Sequence, residues 1–223
     1  MNPVTTVYLC DDDPQVRKSL IYLLEPEMLT VSAHASGPEL LAAVDAAPKP
    51  FRGIFLLDQD MAPMKGSQVH AQLLARGLAH RSPVLFLSGK STLSMAVVAM
   101  RRGAVTYLEK PFSGQMILPW VHEALETEAQ WFTKSRRCDD LRLLWERLPP
   151  RQKQIAPLVA NGQLNKSIAW DIKRTNRMVE EHRKKLLANL GLKSAPELAT
   201  LIAEMRACET GPATSPSATA GTS

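Results

Sequence analysis

The sequence predicts an α/β fold, a doubly wound sheet of five parallel strands, followed by an all-α domain. Three observations lead there. Short apolar runs alternate with longer segments of helical period through roughly the first 125 residues, the pattern of a parallel sheet covered by helices on both faces. After Leu148-Pro149-Pro150 the pattern changes to short helices with no strand-like segment. The charge also divides. Residues 1–136 carry 13 Lys and Arg against 13 Asp and Glu, whereas 137–206 carry 14 against 8, so a neutral module precedes a basic one suited to a polyanion.

The apolar runs read as strands lie at 6–10, 29–33, 54–57, 84–87 and 105–108. Between the first two, Val16, Leu20, Leu23 and Leu24 recur at helical spacing and mark an amphipathic crossover helix. A helix from about Leu118 continues through Trp131 as a connector, with Glu123, Glu126 and Glu128 expected in water. Pro149 and Pro150 stop one helix and start another. The last helix opens on Ser194-Ala195-Pro196-Glu197, a capping-box spacing, and shows Leu198, Leu201, Ile202 and Met205 along one face. These features predict a first domain over 1–124, a helical linker over 125–146 and a second domain over 147–208. The tail 209–223, made of Thr, Ser, Ala, Gly and Pro, reads as disordered.

Several classes are excluded. No apolar run approaches the roughly 18 residues of a membrane span, and residues 1–6 do not resemble a signal peptide, so the expected compartment is the cytoplasm, with no membrane partner. Cys10, Cys138 and Cys208 are scattered and odd in number, which predicts reduced thiols with no disulfide and no zinc site. The five histidines show no ligand spacing.

The chemistry gathers at the strand ends. Asp11, Asp12 and Asp13 follow the first strand, and Asp58 closes the third. In an open parallel sheet, ligands bind beyond the carboxyl ends of the strands, so these carboxylates converge. Their repulsion calls for a hard cation, and oxygen ligands suit Mg²⁺. Ser88 ends the fourth strand and Lys110 follows the fifth, adding a hydroxyl and an ammonium at the same edge. A carboxylate nucleophile with charge compensation is what formation of an acyl phosphate requires.

Three stretches, VYLCDDDPQVRKSL (7–20), GIFLLDQDMAPMKG (53–66) and SGKSTLSMAVVAMRRGAVTYLEKPF (88–112), resemble the receiver domain of FixJ/NarL-type response regulators, whose fold is flavodoxin-like. The resemblance implies Asp58 as phosphoacceptor and Asp12 as a direct Mg²⁺ ligand, with Asp11 acting largely through water and the backbone carbonyl of Asp60 completing the set. It implies that Ser88 and Lys110 hold phosphoryl oxygens and that Tyr107 is the switch aromatic. Met61 and Gly66 match the family spacing counted from Asp58 and not from Asp60, while Ala62 stands where the family's Pro is expected. Asp13 reads as a solvated loop acid. The resemblance implies that Asp60 and Lys90 stand at positions flanking the path of an attacking water, and an ion pair between them is expected to slow hydrolysis of the phosphoryl group.

From Leu148 the chain resembles the LuxR-type helix-turn-helix, through Asn165-Lys166-x-Ile168-Ala169, Val179-Glu180-x-His182-Arg183 and Leu190-Gly191-Leu192-Lys193-Ser194. Thr175 can cap a helix whose apolar stripe is Met178, Val179, His182, Leu186 and Leu190. The resemblance implies that this helix enters the major groove of double-stranded DNA, with Glu180, Glu181 and Lys184 toward base edges. Lys166, Arg177, Arg183 and Lys185 are then expected on phosphates. Lys173 replaces the family's turn Gly, so either it takes a positive φ at some cost or the turn itself differs and with it the angle between the helices.

The expected function is a phosphorylation-controlled transcription factor that receives phosphate on Asp58 from a sensor histidine kinase and forms a homodimer when phosphorylated. Its DNA-binding domains are expected to pair through Leu198, Leu201, Ile202 and Met205. No enzymatic turnover is expected beyond the receiver's own phosphorylation and dephosphorylation. Two alternatives are a DNA-binding regulator with a purely structural receiver, and an Asp-x-Asp phosphatase suggested by Asp58-Gln59-Asp60. In the phosphatase family that motif sits on the first strand, whereas here an acidic strand precedes it.

Overall fold

Five strands, β1 (Thr6–Cys10), β2 (Thr30–His34), β3 (Gly53–Asp58), β4 (Val84–Ser88) and β5 (Thr106–Glu109), pair in parallel in the order β2-β1-β3-β4-β5. The structure is a computed structural model that describes residues 4–78, 81–89 and 93–209. Because β1 lies between β2 and β3, the crossovers run in opposite directions from it and open a crevice at its carboxyl end.

Side chains alternate across each strand, and this period divides the core into two layers. Tyr8, Phe55, Leu57 and Phe86 meet Leu40, Val44, Val69 and Leu73 of the helices α2 (Gly37–Ala46) and α3 (Gly66–Ala75). Val7, Leu9, Ile54, Leu56 and Leu85 meet Leu20 and Leu24 of α1 (Pro14–Leu24) and Ile117, Val121 and Ala124 of α5 (Gly114–Glu146). Helix α4 (Leu93–Arg101) precedes β5. Every strand residue of β3 is buried, as its unbroken apolar run requires of a central strand.

The chain divides into two units, Met1–Phe132 and Thr133–Ser223. Within the first, α5 is held by a buried acid where water was expected: Glu128 is only 2 % exposed. Arg52 donates to it through Nε (3.0 Å) and Nη2 (2.7 Å), Thr5 donates its hydroxyl at 2.9 Å, and the guanidinium lies 4.3 Å from the Phe132 ring centroid. The acid escapes water because an arginine distant in sequence neutralises it.

The second unit packs α6 (Pro150–Ala160), α7 (Asn165–Asp171), α8 (Asn176–Asn189) and α9 (Ala195–Glu209) around Ile155, Val159, Ile168, Val179, Leu186 and Leu198, with Leu144 and Trp145 of α5 alongside. Ser194 caps α9, its hydroxyl accepting from the Glu197 N–H at 3.4 Å, but the Glu197 carboxylate accepts from the Lys193 N–H at 2.8 Å, one residue before the cap position a capping box would use. Two expectations are corrected here. Leu198 and Leu201 are buried inside the unit at 0 % and 6 % exposure, so they are not an open pairing face; Ile202 and Met205 are half-buried. Cys138 and Cys208 are joined in a disulfide, because the fold brings positions 70 residues apart to a Cα separation of 5.7 Å. Glu209 ends α9, and the rest of the expected tail lies outside the described residues. Among the described residues no helix is long and apolar enough to cross a membrane.

Candidate functional site

The carboxyl ends of β1 and β3 bring Asp11, Asp12 and Asp58 together, with one carboxylate oxygen of each within 4.8 Å of the others. Asp11 and Asp58 are buried, and Asp12 faces solvent. Lys110, just after β5, reaches both buried acids: Nζ donates to Asp11 Oδ2 at 2.5 Å and to Asp58 Oδ1 at 2.8 Å. The other Asp58 oxygen accepts from the Asp60 N–H at 2.9 Å. Burial pushes the Asp58 carboxyl above the ordinary carboxylate range, and Asp11 adds to this against the pull of Lys110. Burial alone would lower the Lys110 ammonium, but its bonds to Asp11 and Asp58 outweigh that and raise it.

Local sequence explains how the acids are held. Asp13 is the N-cap of α1, accepting from the Gln15 N–H at 2.8 Å, rather than a free loop acid; its own N–H is taken by Asp11 Oδ1 at 3.0 Å. Gly66 sits where a Cβ would fall 2.3 Å from the Asp58 carbonyl oxygen, so only glycine lets α3 approach the loop after β3. Ser88, at the end of β4, donates its hydroxyl to Asp60 Oδ2 at 3.4 Å. The expected Asp60–Lys90 pair falls partly on Lys90, which lies outside the described residues. The Tyr107 ring stacks on Phe86, and its buried hydroxyl finds no hydrogen-bond partner among the described residues.

In the second unit, Thr175 caps α8 by accepting from the Met178 N–H at 3.3 Å, and the turn before it places Lys173 at φ 52°. The buried face of α8 is Val179 and Leu186, continued by Leu190 at its C-cap, with His182 half-buried; Met178 is 41 % exposed and does not belong to it. Helical phase puts Met178 to one side of the line through Val179 and Leu186. The exposed face carries Arg177, Glu180, Glu181, Lys184 and Lys185, and Lys166 is exposed on α7. Lys185 pairs with Glu181 one turn away at 2.6 Å, holding that carboxyl below its ordinary range. Arg183 is turned inward: half-buried, it donates Nη1 to Asn165 of α7 at 3.0 Å and ties the two helices together.

The family model for the response regulator receiver domain matches residues 7–122, and that for bacterial regulatory proteins of the luxR family matches 146–202. This chain is a response regulator of the FixJ/NarL type. The regulator is 33 % identical over 193 residues to the transcriptional regulatory protein FixJ of Rhizobium meliloti, across 86 % of this chain and 92 % of that one. It is 31 % identical to the tetrathionate response regulatory protein TtrR of Salmonella typhimurium, across 93 % and 96 %. Among solved structures, response regulator StyR superposes with a TM-score of 0.81 at 28 % identity, covering 91 % of this chain and all of that one. The regulator is thus a DNA-binding transcriptional regulator of a two-component system, controlled by phosphorylation.

Some of the regulator's site residues had no sequence signal. Arg17 donates Nη1 to the Asp11 backbone carbonyl at 2.7 Å and so braces the acidic loop; one arginine in an amphipathic helix does not announce such a role. Gln59 donates to the Ser67 hydroxyl at 3.2 Å, joining the loop after β3 to α3.

Proposed function

We propose that Asp58 accepts a phosphoryl group from a sensor histidine kinase and that the resulting charge alters how the helix α8 meets double-stranded DNA. The observation that carries this reading is the single ammonium of Lys110 bridging Asp11 and Asp58, at 2.5 and 2.8 Å, where three strands end. A cation already placed beside the nucleophile lies where negative charge develops on the transferred group.

The residues fit a divalent cation of the Mg²⁺ class: three carboxylates converge, two of them buried and short of counter-charge. Asp11, Asp12, Asp58 and the Asp60 carbonyl would hold it, and when bound it would neutralise phosphoryl oxygens. Asp58 supplies the attacking carboxylate oxygen, Lys110 takes up charge, and Ser88 is within reach of the same edge once it leaves Asp60. Tyr107, whose ring already stacks on Phe86, follows Ser88 by changing rotamer. Arg177, Lys184, Lys185 and Lys166 then neutralise phosphates or read bases, Glu180 and Glu181 accept from base edges, and Thr175 fixes the start of the reading helix. Arg183 contributes by positioning α7 against α8. The receiver runs to Phe132, α5 carries the chain on through Glu146, and the DNA-binding domain extends from 147 to the end of α9 at Glu209; phosphorylation favours a homodimer, and the protein works in the cytoplasm.

Incubation with acetyl phosphate and Mg²⁺ tests the assignment. Intact-mass analysis is expected to show one added phosphoryl group on the wild type and none on Asp58→Asn, and only the wild type gains affinity for its operator DNA. A phosphoryl group that persists in Asp58→Asn, or equal DNA affinity with and without phosphodonor, defeats it.

A further inference from the structure

The cysteines divide into two kinds. Cys10 is wholly buried in β1, and burial with nearby Glu39, Asp11 and Asp58 pushes its thiol up to about 12, so it stays protonated and inert. Cys138 and Cys208 are both half-buried, each open in part to solvent. They face one another from α5 and α9 at a Cα separation of 5.7 Å, inside the range a disulfide spans without backbone movement.

The placement of the bond is informative. Cys208 is the penultimate residue of α9, and Cys138 lies near the start of the second unit, so the bond encloses α6, α7 and α8 in one covalent loop. The N-terminal half of α9 is anchored by Leu198 and Leu201, but beyond Leu201 no α9 residue is fully buried. One ion pair, Arg137 to Glu204 at 3.0 Å, also joins α5 to this half, and both its side chains are exposed at 58 % and 44 %. An exposed pair contributes little. The covalent bond ties the last two turns of α9 to α5.

We propose that Cys138 and Cys208 form a thiol–disulfide exchange site, oxidised by a low-molecular-weight disulfide of the glutathione class, whose closure clamps the end of α9 to α5. One protein thiolate attacks a sulfur of glutathione disulfide, breaking that S–S bond; a glutathione thiolate leaves and takes up the proton. The second protein thiolate attacks the mixed disulfide and releases the other glutathione. Two protein thiols are oxidised to one disulfide, and one glutathione disulfide is reduced to two thiols. In a thiol-rich compartment the pair rests reduced and closes when oxidised glutathione accumulates. Loss of phosphorylation at Asp58 would leave this site untouched.

The full-length chain is equilibrated across glutathione buffers of increasing oxidised fraction, and free thiols are tagged with a maleimide polymer. The wild type is expected to lose the two tags at Cys138 and Cys208 together, while Cys138→Ser and Cys208→Ser keep the remaining thiol or carry one glutathione. Amide exchange over 203–209 is expected to be at least about ten-fold faster in the reduced wild type than in the oxidised form, with Cys138→Ser matching the reduced form in both buffers. Exchange over 176–189 reports whether the variants remain folded. A pair that stays reduced in pure glutathione disulfide, or equal exchange over 203–209 in both states, overturns the proposal.

Discussion

Replacing Glu128 by Leu removes the carboxylate that takes two bonds from the Arg52 guanidinium, whose side chain is 13 % exposed. Arg52 gives up two short bonds, the Thr5 hydroxyl loses its acceptor, and a cation remains against the Phe132 ring with little water to solvate it. Breaking a buried pair from one side costs about 3–5 kcal/mol, mostly the penalty of the orphaned charge. An exposed pair would cost under about 1 kcal/mol. Arg52→Met together with Glu128→Leu removes both charges and is expected to recover most of the loss, since apolar side chains of similar volume replace a buried pair at little net cost. The assay is amide exchange of β1 and β3 in the full-length chain, where about 1.4 kcal/mol is ten-fold in the opening constant. The single variant should exchange there roughly 10²- to 4 × 10³-fold faster, and the double variant far less so. If Glu128→Leu alone behaves as an exposed-pair variant, or if the double variant is no more protected than the single, the reasoning about this corner of the fold is wrong.

At the acidic site, a carboxyl whose folded value is raised binds protons more tightly in the native state. Stability of the metal-free chain is therefore expected to fall as pH climbs from the ordinary carboxylate range through the raised Asp58 value, and to stay lower at neutrality. Asp58→Asn should remove that slope and unfold later than the wild type in urea at pH 7; an unchanged slope refutes the assignment. Lys173→Gly relieves the positive φ and should stabilise the second unit by about 1 kcal/mol in thermal unfolding, whereas a loss of stability would show that the turn does not strain this residue. Gly66→Ala must displace the Asp58 carbonyl, which predicts a cost of about 1–3 kcal/mol and slower labelling by acetyl phosphate; normal labelling with normal stability would show that the loop yields freely.

Elements whose cause is local were legible in the sequence. The strands lie within a residue of the expected runs because a buried parallel strand must be apolar at consecutive positions, and Ser194 with Glu197 announces its own cap. The acidic site was legible too, because all its parts sit at strand ends that one topology brings together. What escaped depends on partners far along the chain. Glu128 looks like any helix-surface acid until Arg52, 76 residues earlier, is set beside it. Cys138 and Cys208 match no spacing motif, since their meeting is a property of how α9 returns to α5. Arg183 has the charge of a phosphate contact, but its half-buried position on α8 sends it to Asn165 instead.

The phenol of Tyr107 ends in a site that surrounds its oxygen without offering it a hydrogen bond among the described residues. Such an orphaned group raises the free energy of the conformer that contains it by roughly 1–3 kcal/mol. The orientation seen here therefore lies in a shallow basin, and a rotamer that wets or pairs the oxygen is close in energy. A weak bias from the neighbouring strand end is enough to redistribute the two populations, which is the property a reversible signal needs.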